Sequence, residues 1–313
     1  MPDPVECRRM RLVRSLFPPP KDLPEAAVAV GNFDGLHRGH QALLARVCSA
    51  GGGLAPAMMY FEPLPKTFFQ PDKPVPRLLT LRDRLELCRE FGLEMVFRLR
   101  FNQAFASQSP EAFARDVLAG GARAREVVVG SDFRFGARAA GDVAALREFG
   151  QQMGFRVRVV DPVMDAGRRI SSSGLRQALG DGDLATAEGL LGRRYRISGR
   201  VIRGRRLGRE LGFPTVNLRV PEPPALRGVF AVRVSGAGLD GHPAVASLGQ
   251  RPTVAGKDWL LEVHLFDFND DLYGRHLGVD FVARLRPEVR FDSLEAMTEQ
   301  MKLDAEQARG LLD

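Results

Sequence analysis

Cysteine is scarce in this sequence: there are three in 313 residues, at Cys7, Cys48 and Cys88, with no CxxC pair among them. That spacing argues against a disulfide framework and against a cysteine-based zinc site, and it points to a reducing, cytoplasmic setting. No apolar run approaches the length needed to span a bilayer, and the start, MPDPVECRRMRLVRSLFPPP, lacks the apolar segment of a secretory signal. No membrane association is expected. The GxxxxGK[ST] phosphate loop is absent, as is any RNA-reading motif with interleaved aromatics, so nucleic acid is not an expected partner. Internal repeats and low-complexity segments are also missing.

What is present is enough chain for two domains and a formal net charge of +7. The charge suits anionic small molecules such as nucleotides, but an arginine-rich solvated surface would account for it equally. From Ala26 to about Val160 short apolar runs alternate with helical patterns. AAVAVG, LAPAMMYFE, LEMVFRLR, REVVVG and FRVRVV read as buried strands. TLRDRLELCREFG, with Thr80 as N-cap, SPEAFARDVLAGG, with Ser109 as N-cap and Pro110 at the first helical position, and GDVAALREFGQQMG read as helices. Such alternation predicts an α/β, doubly wound, Rossmann-like parallel sheet, whose ligand crevice lies at the C-terminal strand ends. Past a helical stretch after Ile170 the pattern changes to strands separated by turns, which predicts an antiparallel β-barrel or sandwich closed by a C-terminal helix. Leu294, Met297, Met301, Ala305, Ala308 and Leu312 share one face of that helix. The boundary falls near Leu191, giving domains 1–190 and 191–313.

Two stretches carry chemistry. In GNFDGLHRGH, Gly31 ends a strand and lets the backbone turn towards a ligand, and the following helix N-terminus favours an anion. His37 and His40, three positions apart on the first turn, can face one bound phosphate and stabilise charge developing on it. The same histidines with Asp34 could instead ligate a metal, although no cysteine or third histidine stands nearby, or they could be surface residues. In GRRLGRELGFPTVNL, Gly204, Gly208 and Gly212 punctuate a basic stretch ahead of a strand, which reads either as a loop closing over phosphates or as a surface hairpin.

GNFDGLHRGH resembles the HxGH signature of nucleotidyltransferases. With FEPLPKTFF, RLLTLRDRLELCREFG, VVVGSDFRFG, ISSSGLRQAL and GFPTVN, the chain is similar to the prokaryotic bifunctional riboflavin kinase/FAD synthetase family along nearly its whole length. The resemblance implies that His37 and His40 contact ATP phosphates, that Gly31, Asn32, Phe33, Asp34 and Gly39 shape the nucleotide pocket, and that Ser171, Ser172 and Arg176 receive the leaving pyrophosphate. Apart from the family, Ser171 to Ser173 read more readily as a helix N-cap. Asp132, Phe133 and Phe135 would form the flavin-side loop, the phenylalanines being otherwise ordinary core residues. In the second domain Gly204, Gly208 and Gly212 would serve ATP, Thr215 and Asn217 would ligate Mg²⁺, and Glu262 would be the catalytic base. The implied reactions are phosphorylation of riboflavin to FMN and adenylylation of FMN to FAD, with ATP as co-substrate in both. Leu64 stands where the family usually has a histidine, Gly174 where it has a longer residue, and Val216 where it has alanine. Two rivals remain at this point: an adenylyltransferase of another phosphorylated acceptor whose second domain only binds ligand, and a flavin- or nucleic-acid-binding protein without turnover.

Overall fold

The computed structural model describes residues 10–204, 212–253 and 256–313. The chain divides into two compact units, Met1–Val75 with Arg84–Ile170, and Pro76–Asp83 with Ser171–Asp313.

In the first unit six strands, β1 (Arg11–Val13), β2 (Ala26–Val30), β3 (Ala55–Glu62), β4 (Met95–Arg100), β5 (Ala124–Gly130) and β6 (Arg156–Val160), form a sheet in the order β1-β4-β3-β2-β5-β6. Every pairing is parallel. This is the expected doubly wound sheet, and five of its strands match the apolar runs. β1 escapes a periodicity argument because it has three residues and pairs only with β4 at the sheet edge. β2 is buried along its whole length, as a strand covered by helices on both faces must be. The turn chemistry also behaves as read. Thr80 Oγ1 accepts the Asp83 N–H at 3.1 Å, and Ser109 caps the helix that Pro110 opens. That helix widens into a π-helix over Phe113–Gly121, closed by the Ala122 N–H donating to the Val117 carbonyl five residues back. A short hairpin, β7 (Met164–Asp165) and β8 (Arg168–Arg169), follows β6.

In the second unit β9 (Arg196–Ile202), β10 (Val216–Val220), β11 (Gly228–Gly236), β12 (Leu239–Thr253), β13 (Gly256–Leu265) and β14 (His276–Arg286) close a barrel, β10-β13-β12-β11-β14-β9, with antiparallel pairing throughout. Closure removes the exposed edges that a sandwich would leave. Leu218, Phe230, Val232, Leu248, Leu261 and Phe281 belong to its core, which also takes in Leu175 and Leu179 of helix Ser172–Asp181 and Leu184 and Leu191 of helix Leu184–Leu191. These two helices therefore pack with the barrel: the compact units part at residues 170/171, whereas the sequence boundary stood at 190/191.

On the barrel exterior Val229, Ala231 and Val245 are covered by Ala305, Ala308 and Leu312 of the C-terminal helix Leu294–Leu312. Leu294, expected on that apolar face, is 53% exposed. The helix is held further along by Arg286, whose guanidinium grips the Asp304 carboxylate at 2.7–3.1 Å while Gln300 donates to the same group at 2.9 Å. Asp304 is buried, so removing it strands a cation. Asp304→Ala is expected to destabilise the barrel unit by about 3 kcal/mol, checked as a lower urea midpoint of the full chain.

Candidate functional site

The sheet order reverses beside β2: β3, β4 and β1 lie on one side, β5 and β6 on the other. Ligands of doubly wound sheets occupy the crevice at such a switch point. The loops that leave β2 and β5 there are the two singled out from sequence, Gly31–His37 and Gly130–Gly136. Gly31 still donates to Met59 of β3, and then the chain turns through Phe33, Gly35 and Leu36 at φ of 48°, 87° and 45°. Phe33, Asp34 and Leu36 are all buried. His37, 5% exposed, is the N-cap of helix Arg38–Cys48, and its Nδ1 accepts the His40 N–H at 3.3 Å. The two imidazoles stack with centroids 3.7 Å apart, and the Phe33 ring lies 5.1 Å from His40. Gly39 permits this, because a Cβ there would lie 3.2 Å from the His37 ring. An Nδ1 that accepts leaves the neutral ring protonated at Nε2, so the cap sets the tautomer.

Of the residues expected on the flavin side, Phe135 is a core residue stacked on half-buried Phe133 at 5.5 Å. Asp132 pairs with Arg169 of the hairpin at 2.7 Å, and that guanidinium holds its carboxyl below the usual range. Arg38, inside the HxGH stretch, reaches Asp165 of the same hairpin at 3.5 Å. Leu64 is buried and starts helix Pro65–Phe69 without any side-chain cap. Ser171 caps helix Ser172–Asp181 by accepting the Gly174 N–H at 3.1 Å, so Gly174 does not disturb the helix start. Arg176, on that helix, donates from Nε to the Pro76 carbonyl at 2.8 Å. Ser171, Ser172 and Arg176 belong to the second compact unit, His37 and His40 to the first.

In the barrel unit Asn217 on β10 stands directly opposite Glu262 on β13, and Glu262 opposite Ser247 on β12. Leu261 and Val263 point into the core, so this polar row lies on the outer face, with side chains of adjacent partners about 5 Å apart. Asn217 is 6% exposed; its Nδ2 donates to the Thr215 carbonyl at 3.5 Å, and its buried Oδ1 accepts from no described residue. A Cβ on Gly204 would collide with that Nδ2. Gly204 thus makes the room Asn217 occupies, and Gly212, at φ 82°, takes a backbone conformation that favours glycine. Gly208 lies outside the described residues. An orphaned amide oxygen beside a threonine is a donor set suited to a hard cation. No cluster of three or more His, Cys, Asp or Glu able to hold a metal occurs among the described residues.

Two family models match the chain in succession. The FAD synthetase family matches residues 20–174, and the riboflavin kinase family matches residues 191–312. A bifunctional riboflavin kinase/FMN adenylyltransferase of Escherichia coli K12 is 43% identical over 305 residues, 96% of this chain and 97% of that protein. The chain belongs to the bifunctional riboflavin kinase/FMN adenylyltransferase family. A protein of the same name from Haemophilus influenzae is 36% identical and covers 97% of this chain and 100% of its own. A crystal structure titled as a macrolide-efflux protein from Streptococcus pneumoniae aligns with a TM-score of 0.79 at 31% identity, covering 96% of this chain and 98% of that one. Among the described residues of this family member no helix is long and apolar enough to cross a membrane.

Sequence reasoning passed over Arg84, which reaches the Gly31–His37 loop. Its signal was a charged residue on the stripe Leu81, Leu85 and Cys88 of an otherwise amphipathic helix. Sequence reasoning also left His264 without a role. Its Nδ1 lies 2.9 Å from the Pro214 carbonyl, and burial pushes its pKa below the ordinary 6.5. A carbonyl only accepts, so Nδ1 carries the proton there.

Two outcomes follow for this family member. Gly204→Ala is expected to slow FMN formation at least ~10-fold by displacing the Asn217 amide, while supplied FMN is still converted, as chromatography of the flavins would register. For His264 the folded pKa lies below the unfolded one, so the unfolded chain binds the extra proton. Stability is therefore lost as pH falls from about 6.5 towards the folded value. His264→Gln should flatten that part of the urea-midpoint profile between pH 7.5 and 5.5.

Proposed function

We propose that the chain makes FAD from riboflavin in two ATP-dependent steps, with kinase chemistry in residues 191–313 and adenylyl transfer in residues 1–190. The observation that carries this reading is placement: the HxGH and GSDFRFG loops leave adjacent strands at the switch point of one unit, and Asn217 faces Glu262 across two strands of the other. The extents of the two family matches support the assignment of steps.

In the first step Glu262 accepts the proton of the attacking ribityl hydroxyl, and that oxygen displaces ADP from the γ-phosphorus of ATP. Thr215 and Asn217 would hold Mg²⁺, a role supported by the buried, unpartnered Oδ1 of Asn217 among the described residues. When bound, the ion neutralises charge on the ATP phosphates. Gly204, Gly208 and Gly212 are assigned to those phosphates on the strength of their motif.

In the second step an FMN phosphate oxygen attacks the α-phosphorus of ATP and pyrophosphate leaves. His37, holding a proton at Nε2, and His40 stabilise the charge that develops there, aided by backbone amides of Asn32–Asp34 and by the N-terminus of helix Arg38–Cys48. Asp132 and Phe133 serve the flavin, with Phe135 supporting Phe133 from the core. Ser171, Ser172 and Arg176 are assigned to the pyrophosphate on the strength of their motif. Cys48 and Cys88 are free thiols, which suits a reducing cytoplasm.

The test is turnover with riboflavin, ATP and Mg²⁺, products being resolved by chromatography; no flavin product would overturn the reading. His37→Ala is expected to stop FAD formation while FMN accumulates. Asn217→Ala should stop FMN formation and leave supplied FMN convertible to FAD. Loss of both activities from either folded variant would refute the separation of sites.

A further inference from the structure

Helix Leu81–Glu90 carries an arginine that is 2% exposed. Arginine is almost never buried without partners, because its charge must be compensated once water is removed. The partners of Arg84 converge on one place. Its guanidinium lies 4.1 Å from the centroid of the Tyr60 ring on β3, itself 1% exposed. Nη1 donates to the Asn32 carbonyl at 3.4 Å, and Nη2 lies 3.6 Å from Oδ1 of Asp34, which is 1% exposed.

Asn32 and Asp34 flank Phe33 in the loop that turns through three left-handed residues, two of them not glycine. Such conformations persist only where the surroundings over-determine them, and they concentrate at functional sites. Phe33 packs against the His40 ring, and the loop runs directly into His37, the helix cap. Arg84 grips both sides of Phe33, one through a carbonyl and one through a carboxylate, while its flat face rests on a rigid strand. A planar, forked cation can do all three at once and a lysine cannot.

We infer that Arg84 is a positioning residue for adenylyl transfer: it fixes residues 32–34 in the conformation that presents His37 and His40, and it does not touch substrate. The inference rests on the reading of the HxGH loop as the adenylyl-transfer site. Reacting groups displaced by about 1 Å lose of order 100-fold in rate even when binding is kept. A positioning defect therefore shows in kcat and not in KM.

The experiment uses the full chain with Arg84→Lys, which keeps the charge and loses the fork and the stack. Both reactions are measured on one preparation alongside thermal melting. The expected result is a kcat for FMN adenylylation lower by roughly 30- to 100-fold, a KM for ATP within about 3-fold of the parent, and riboflavin phosphorylation unchanged. Parallel loss of both activities, a rise in KM with kcat kept, or no change would each overturn the inference. Should Arg84→Lys fail to fold, Tyr60→Leu removes the platform and leaves the charges in place; the same kcat-selective loss supports the inference, and an unchanged kcat overturns it. His37→Ala is run beside them. If it retains FAD formation, the site reading falls and the inference with it; if it loses FAD formation while Arg84→Lys does not, the inference alone falls.

Discussion

The first unit depends on the complete burial of β2. Its five residues have no solvent face, and both neighbouring strands run parallel to it, so nothing about the strand is tunable by water. Where it ends, the chain must leave the sheet between the ends of β3 and β5 in very little space. It does so by borrowing one more ladder bond, Gly31 to Met59, and then turning through left-handed residues whose side chains go back into the core. That turn runs directly into the N-terminus of helix Arg38–Cys48, which His37 caps. Burial of the strand and accessibility of the helix terminus are thus one constraint seen from its two ends.

The barrel solves the same problem differently. In an antiparallel strand one face goes to the core and the other does not, so chemistry can sit along a strand and need not wait for its end. Leu218, Leu261 and Leu248 fill the interior, which turns their neighbours Asn217, Glu262 and Ser247 outward in one row. The C-terminal helix covers the outer face at Val229, Ala231 and Val245. Glu262 remains half-buried between Asn217 and Ser247.

Much of this was legible in the residues. Apolar runs bounded by glycine gave β2 to β5, since burial on both faces leaves a continuous signal; FRVRVV gave β6 too, but that edge strand is exposed or half-buried along its length and not the buried strand expected. Thr80 and Ser109 marked their helices because capping is local chemistry. Ser171 read two ways and is a cap in the structure, which leaves its phosphate role to the motif. β1 and the outward turn of Leu294 were not legible, because an edge strand of three residues and the first turn of an amphipathic helix take their surroundings from tertiary packing. Arg84 was hidden for a related reason. A charged residue on a helix reads as solvated unless its partners are known, and these lie 24 and 50 residues away on a strand and a loop.

The histidine at position 37 shows how structure and chemistry share one side chain. A serine at this helix N-cap would satisfy the exposed amide as well. Its single oxygen, however, would then be spent on the helix. An imidazole has two nitrogens on opposite edges of a rigid ring, so binding the His40 amide at Nδ1 leaves Nε2 as the protonated position and fixes the plane in which it points. The stack on His40, 3.7 Å away, holds the second ring nearly parallel to the first. Gly39 suits this arrangement because a Cβ there would lie 3.2 Å from the capping ring. The spacing of histidine, glycine and histidine therefore matches the first turn of the helix, which makes the cap and orients both imidazole rings in a single step.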